Sequence, residues 1–130
     1  MKTVYYAHAL CVYGSDSEAA ELKAIRSRFK KHKIVNPAHY ENHPEKQKET
    51  VNFCLRLIEK CDIIVFSCLL KKITAGVGKE INHALKLGLA VYELKPTGFG
   101  RRHRPVKYLS RARTIQRYRK WRQLQWGNSW

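Results

Sequence analysis

Short apolar runs alternate with amphipathic helical patterns along the first 94 residues of the chain. Four runs rich in β-branched and aromatic residues predict strands, at 3–8, 33–37, 62–70 and 89–94. These runs are apolar on both faces, which is typical of parallel strands that helices cover on both sides. The resulting order, β-α-β-α-β-α-β, predicts an α/β domain with a four- to five-stranded parallel sheet.

Three segments between these strands have apolar residues at helical spacing. The first follows Ser15-Asp16-Ser17-Glu18, which has the pattern of a capping box at the start of a helix. The second spans 51–61. The third runs from Val77 to Gly88, and Gly88 suits a helix C-terminus because glycine readily adopts positive φ.

Two further segments lack this periodicity. Segment 38–48 is polar and predicts a surface loop. Segment 95–105 interrupts the alternation with Gly and Pro, so we place the end of the core there. The chain is therefore divided into a core at 1–97 and a basic C-terminal extension at 98–130, with a helix at 110–125.

Ligands of an open parallel sheet bind beyond the carboxyl ends of its strands, where the strand order reverses. Four segments of this chain reach that edge of the predicted sheet: 8–15, 36–45, 67–78 and the residues from 95 onward. Glu80 is predicted to lie in the first turn of the third helix, behind Gly76 and Gly78. It therefore faces the crevice beyond the carboxyl ends of the strands, which these four segments also reach.

Two interpretations of Glu80 are open on spacing alone. A glutamate in the first turn of a helix complements the helix dipole, which stabilises the fold by about 0.3–1 kcal/mol. A carboxylate at the mouth of a crevice, behind glycines that let the backbone approach a ligand closely, is instead a candidate nucleophile.

Two common phosphate-binding motifs do not fit this loop. The Walker motif requires Ser or Thr after Gly-Lys, and Glu80 follows Gly78-Lys79. The dinucleotide-binding fingerprint requires a third glycine where Ile81 stands. A simple ATPase or dehydrogenase is therefore not expected.

The charge of the chain is strongly asymmetric. The formal net charge is +16, and residues 95–130 hold 11 of the 26 Lys and Arg residues but no Asp or Glu. This segment favours an acidic partner such as nucleic acid. The sequence has no apolar run of about 18 residues, as a membrane span needs, and its N-terminus lacks the pattern of a signal peptide. We expect a cytoplasmic, intracellular protein without a membrane partner.

The four cysteines, Cys11, Cys54, Cys61 and Cys68, form no CxxC pair, which disfavours a zinc or redox motif. Cys54 and Cys61 lie seven residues apart, on one face of a helix, and are predicted core residues. A metal held by His8, Cys11 and His83 is disfavoured as well. We therefore expect no metal and no cofactor.

Four stretches occur in the order and spacing of a known family. They are YYAH at 5–8, VNPAHY at 35–40, CDIIVF at 61–66 and ITAGVGKEINHALKLGLAVYEL at 73–94. On these stretches the chain resembles the nucleoside 2-deoxyribosyltransferase-like proteins, and within them a short branch that begins Tyr-x-Ala-His. The resemblance covers about residues 3–94 and does not extend to the basic tail.

The resemblance implies a flavodoxin-like or Rossmann-like three-layer fold and a nucleoside or nucleotide ligand. In the family's transferases, a glutamate attacks C1′ of a deoxyribonucleoside, and a second base or water resolves the covalent intermediate. Glu80 matches that nucleophile, and Tyr5 matches a tyrosine that holds the nucleophile or the substrate. Family relatives often build their sites between subunits, so the resemblance also implies a homo-oligomer such as a dimer.

The chain departs from the family's pattern at two aspartates. Thr74 stands six residues before the nucleophile, where the transferases have one Asp, and Cys54 corresponds to the other. Without those carboxylates, a leaving base has no evident general acid, and the candidate substitutes are His8, Asp16 and His83. Hydrolysis and transfer are both open. The predicted substrate-binding residues are His8, Asp16, Thr74, Gly76, Gly78 and His83.

The stretch SRARTIQRYRKWRQLQ at 110–125 predicts a helix with an apolar stripe formed by Ile115, Tyr118, Trp121 and Leu124. The stripe can dock on the sheet edge or on a second subunit. Alternatively, the cations contact phosphates while Tyr118, Trp121 or Trp126 stacks on bases, or the helix lies on a membrane surface. The predicted nucleic-acid-binding residues are Arg101, Arg102, Arg104, Arg113, Arg117, Arg119, Lys120, Trp121 and Arg122.

Two functions therefore compete. In the first, a nucleoside- or nucleotide-binding protein cleaves or transfers at the N-glycosidic bond through Glu80. In the second, a noncatalytic protein of the same fold binds nucleic acid through residues 101–126.

Overall fold

A computed structural model of the chain describes residues 2–127, and the side chains of residues 2–125. Its five strands form one sheet with the order β2-β1-β3-β4-β5. The strands are β1 (Thr3–Ala7), β2 (Lys33–Val35), β3 (Ile63–Phe66), β4 (Ala90–Lys95) and β5 (Gly98–Arg102). The first four are parallel, and β5 runs antiparallel to β4. The predicted flavodoxin-like α/β fold is confirmed.

Helices cover both faces of this sheet. They are α1 (Asp16–Arg28), α2 (Pro44–Lys48), α3 (Thr50–Glu59), α4 (Ala75–Lys86) and α5 (Arg111–Gly127). Helix α1 packs on one face around Ile25, while α3 and α4 pack on the other around Ile58 and Ile81. Because neighbouring residues of a strand point to opposite faces, Tyr6 lies on the α1 side and Tyr5 on the side of α3 and α4.

Two predicted helix ends have the expected geometry. Ser15 Oγ accepts a hydrogen bond from the backbone N–H of Glu18, and a Glu18 carboxylate oxygen accepts one from the N–H of Gly14. Gly88 follows α4 with φ of 78°, and the next N–H, of Leu89, donates to the carbonyl of Ala84 at 3.0 Å. Both ends were therefore predictable from local sequence.

The predicted strand at 62–70 is longer than the observed one. Strand β3 ends at Phe66, and Leu69 and Lys72 then exchange two backbone hydrogen bonds across a tight turn. The apolar run continues to Leu69 because this side chain is buried with Ala9 and Val12 at the edge of the sheet, not inside it.

Two segments predicted as loops contain regular structure. The Gly- and Pro-rich segment 95–105 contributes β5, which pairs with β4 from Lys95–Gly98 to Val91–Arg102. As an edge strand with two glycines and no β-branched residue, β5 carries little strand signal. The polar segment 38–48 contains α2, and it buries Lys46.

The chain beyond β5 returns along α4. Asn82 exchanges two side-chain hydrogen bonds with the backbone of Val106, at 2.8 and 3.1 Å. Thr114 Oγ1 accepts a hydrogen bond from the backbone N–H of Ala75 at 2.9 Å, so a residue of α5 caps the start of α4. Through these contacts the basic extension packs on the core.

Gly78→Ala is expected to loosen this packing. A Cβ atom at Gly78 would lie 2.3 Å from the ring of Tyr108, so the segment that carries Tyr108 must shift. We expect the free energy of unfolding to fall by about 1–3 kcal/mol, with faster hydrogen exchange at Leu109. Gly76→Ala is the matched control, because a Cβ there meets no atom within 4 Å. Equal stability and exchange in the two variants would contradict the contact.

No helix within residues 2–127 is long and apolar enough to cross a membrane. The cytoplasmic location and the dimer stay predictions.

Candidate functional site

Glu80 lies on α4 at the carboxyl edge of the sheet, near the point between β1 and β3 where the strand order reverses. Helix α4 begins at Ala75, so Glu80 lies in the second turn of the helix and not in the first, as the sequence predicted. The helix dipole acts on charges within the first turn. Complementing the dipole therefore does not explain the position of Glu80.

The hydroxyl group of Tyr5 donates a hydrogen bond to the Glu80 carboxylate. Tyr5 is fully buried, and Glu80 is 8% exposed. Burial raises the pKa of Glu80 to about 7, while the Tyr5 hydrogen bond and the positive charge of Lys46 act in the opposite direction. Burial and the nearby Glu80 raise the pKa of Tyr5, so its phenol keeps the proton. The pair presents a carboxyl group that ionises near neutral pH.

A cavity of about 140 Å³ lies beside this pair. It is bounded by the loop after β1, by α3, by the start of α4 and by α5. The lining residues are His8, Leu10, Tyr13, Thr50, Val51, Cys54, Thr74, Gly76, Val77, Glu80 and Tyr118. The structure thus brings the predicted nucleophile together with three of the six predicted substrate-binding residues: His8, Thr74 and Gly76.

A larger depression, of about 600 Å³, lies on the α1 side of the sheet. Its two glutamates already have partners. Glu21 accepts hydrogen bonds from the hydroxyls of Tyr6 and Ser67, and Glu93 accepts two from Arg102. Each of these carboxylates accepts at least two hydrogen bonds, whereas Glu80 accepts one, from Tyr5, among the described residues. The cavity beside Glu80 is therefore the better candidate for chemistry.

The two positions where the transferases carry aspartates both line the cavity. Thr74 is 2% exposed, and its Oγ1 has no hydrogen-bond partner among the described residues. Burial and the charge of Glu80 raise the pKa of Cys54 to about 11, so its sulfur stays protonated at neutral pH. Neither side chain replaces a carboxylate as a general acid, but the Thr74 hydroxyl lacks a partner among the described residues, and Thr74 lines the cavity.

His8 lines the cavity, but both of its ring nitrogens have protein partners. Nδ1 lies 3.1 Å from the carbonyl oxygen of Tyr6, and Nε2 lies 2.7 Å from a carboxylate oxygen of Glu18. The ring also stacks on Tyr6 with centroids 3.7 Å apart. Burial lowers the pKa of His8, against the opposing effect of Glu18. In this arrangement His8 shapes the cavity wall without presenting a nitrogen to it.

Three other predicted substrate-binding residues lie outside the lining. Asp16 is exposed at the start of α1. His83 does not line the cavity and pairs with Glu59, with Nε2 and Oε1 3.2 Å apart. Gly78 is covered by Tyr108 rather than open to a ligand. The structure does not bring these three residues to Glu80.

Comparisons with known proteins bear on this fold. No protein-family model and no curated protein sequence matches the chain. Among solved structures, the chain is similar to the 2-desoxiribosyltransferase from Leishmania mexicana, with 20% sequence identity and a TM-score of 0.50 over 73% of this chain. The chain has a deoxyribosyltransferase-like fold. The match spans 66% of the Leishmania protein, which is less than two thirds of its length, and at this identity it concerns the fold alone.

Sequence reasoning missed four residues at this site of the deoxyribosyltransferase-like fold. Tyr13 and Tyr118 line the cavity, Glu18 holds His8, and Lys46 acts on the pKa of Glu80. Lys46 Nζ donates to the carbonyl of Pro37 at 2.7 Å and to the Glu41 carboxylate, and lies 5.1 Å from the ring centroid of Tyr13. Glu18 had a local signal, its place in the capping box. Lys46 lies in the polar segment 38–48, and no local sequence pattern indicated its role.

The predicted basic residues do not form one cluster. Consecutive residues of β5 point to opposite faces of the sheet. Arg101 lies over Tyr92 at 5.2 Å, whereas Arg102 is bound to Glu93 at 2.6 and 3.0 Å. Arg102 is therefore paired within the protein. Arg104 is exposed beyond the strand.

The four residues of the predicted apolar stripe on helix α5 do not share one environment. Tyr118 and Trp121 pack against the core, while Ile115 and Leu124 are 41% and 46% exposed. The side chain of Trp126 lies outside the described residues. The six cations of the helix lie on its outer faces: Arg111, Arg113, Arg117, Arg119, Lys120 and Arg122.

No three His, Cys, Asp or Glu side chains in the described part of the chain lie close enough together to hold a metal ion.

Proposed function

We propose that the protein binds a nucleoside or nucleotide beside Glu80 and cleaves or transfers at its N-glycosidic bond. The observation that carries this proposal is the hydrogen bond from the buried hydroxyl of Tyr5 to the carboxylate of Glu80, at the edge of a cavity. Perturbed carboxyl groups at a cleft are typical of catalytic sites. The similarity in fold to a 2-desoxiribosyltransferase supports the same chemistry.

In the proposed first step, an ionised oxygen of Glu80 attacks C1′ of the sugar. The C1′–N bond breaks, and its electron pair leaves with the base. A carboxylate suits this step because it stabilises positive charge that develops at C1′ and then bonds to that atom. Tyr5 holds the carboxylate in place by donating a hydrogen bond to one of its oxygens.

After the first step, the base that has left takes a proton from water at the mouth of the cavity. We assign this role to water because His8 has both nitrogens occupied, and Thr74 and Cys54 carry no carboxylate. In the proposed second step, water or a second base attacks C1′, the bond between C1′ and Glu80 breaks with its electron pair on the carboxylate, and the attacking group loses its proton to solvent. The product therefore depends on which nucleophile reaches C1′ first.

The size of the cavity suggests how the ligand lies. Pockets for drug-sized ligands have about 300–1,000 Å³, and this cavity has about 140 Å³. We therefore assign the enclosed space to the sugar, with Thr74 Oγ1 as a partner for a sugar hydroxyl group. The base lies toward the exposed side chains of Leu10 and Val51.

A panel of nucleosides and nucleotides, including NAD, tests the proposal. Chromatography of each reaction should show free base from at least one member. Addition of a second base separates the two outcomes, because transfer gives a new nucleoside and hydrolysis gives free sugar. Folded protein that releases no base across the whole panel would contradict the proposed function.

A further inference from the structure

A second feature of the surface is a groove of about 400 Å³ between Lys72 and helix α5. Its lining residues are Lys72, Leu109, Arg113, Gln116, Arg117 and Lys120. Four of the six are cations and none is acidic. None of these four cations forms an ion pair with another residue whose side chain the structure describes. The groove therefore presents uncompensated positive charge.

The cations of the groove are held on rigid elements. Arg113, Arg117 and Lys120 follow one another at spacings of four and three residues, so they share a stripe along α5. The hydrogen bond of Thr114 to the start of α4 fixes the helix. Lys72 closes the turn with Leu69 through two backbone hydrogen bonds. The charges therefore line one groove and are not scattered on a mobile tail.

We propose that this groove binds the phosphodiester backbone of a nucleic acid. A row of cations along one helix complements a row of phosphates, and binding releases the counterions that the phosphates hold. An anionic membrane fits less well, because a membrane-surface helix needs an apolar face that is free to insert. In α5, Tyr118 and Trp121 are turned to the core.

The lining of the groove indicates which part of the nucleic acid it contacts. Stacking on bases requires aromatic side chains. No aromatic side chain lines the groove among the described residues. Binding therefore relies on contacts with phosphates and is strongly dependent on salt. This inference does not rest on the chemistry of Glu80, because the two sites share no lining residue.

Fluorescence anisotropy with labelled single-stranded and duplex oligonucleotides, measured over a range of salt concentrations, tests the proposal. The triple variant Lys72→Gln, Arg113→Gln, Lys120→Gln is expected to bind at least about tenfold more weakly. The slope of log K against log salt is negative, and its magnitude should fall by about 2–3, because each lost phosphate contact removes about 0.7–0.9. The control triple Lys23→Gln, Arg26→Gln, Lys30→Gln removes the same charge from exposed residues of the α1 side and should retain the wild-type slope.

The single variants Lys72→Gln and Lys120→Gln extend the test if the triple variant does not fold. Each should reduce the magnitude of the slope by about 0.7–0.9. Equal losses in the groove and control variants would overturn the proposal, since they would show a general effect of net charge. Absence of binding by the wild-type protein would also overturn it. So would groove-dependent binding to phosphatidylserine vesicles without binding to either oligonucleotide.

Discussion

Glu80→Gln is expected to lower the rate of base release by at least about 1,000-fold while the protein stays folded. Glutamine has nearly the same shape, and its amide oxygen can still accept the hydrogen bond from Tyr5. It cannot add to C1′ as a carboxylate does. The measurement is the initial rate of base release on the best substrate of the panel, with circular dichroism as the check on folding.

Glu59→Gln is the matched control for this change. Glu59 lies on α3 and pairs with His83 outside the cavity. We expect its rate of base release to stay within about twofold of the wild-type rate, because its surface ion pair contributes little. Retention of the wild-type rate in Glu80→Gln would remove Glu80 from the mechanism.

The second large effect is on the pH dependence of stability. Folding raises the pKa of Glu80 from 4.5 to about 7, so the folded protein binds a proton that the unfolded chain has already lost in this window. The free energy of unfolding therefore falls as pH rises from 4.5 through 7. Relative to Glu80→Gln, the wild-type protein should lose about 2–3 kcal/mol between pH 5 and pH 8.

Urea unfolding of both proteins at pH 5 and pH 8 measures this difference. Activity should change in the opposite direction, because the ionised form of Glu80 is the nucleophile. Base release at low substrate concentration should rise about tenfold per pH unit below pH 7 and level off above it. A wild-type protein with the same pH dependence of stability as Glu80→Gln would show that the carboxyl group is not buried as described.

Most of the sheet could be predicted because its signals are local. The apolar runs that form β1 and β3, and the Ser15 capping box, are each visible within a few residues. Strand β5 gave no such signal, since its glycines resemble those of a loop. Its extended conformation depends on its hydrogen-bonded pairing with β4. Local patterning predicts elements that bury their own apolar face, and it predicts edge strands poorly.

The candidate site depends on contacts between distant residues. Tyr5 and Glu80 are 75 positions apart in the sequence, and only the resemblance to a family predicted that both belong to one site. Tyr118 reaches the cavity because α5 folds back across the crevice, which depends on the contact of Thr114 with α4. Lys46 is a lysine in a polar run, and its burial follows from the shape of the loop around it. The spacing of apolar residues along the sequence does not indicate these contacts between distant residues.

The most direct test of the central claim is a search for the covalent intermediate on Glu80. The protein is incubated with a 2′-deoxy-2′-fluoro nucleoside, because fluorine at C2′ destabilises the positive charge that develops at C1′ and slows turnover. Intact-mass measurement should show the addition of one glycosyl group, and peptide mapping should place it on Glu80. The Glu80→Gln variant should show no addition. An adduct on another residue, or base release without any adduct on the wild-type protein, would contradict the account.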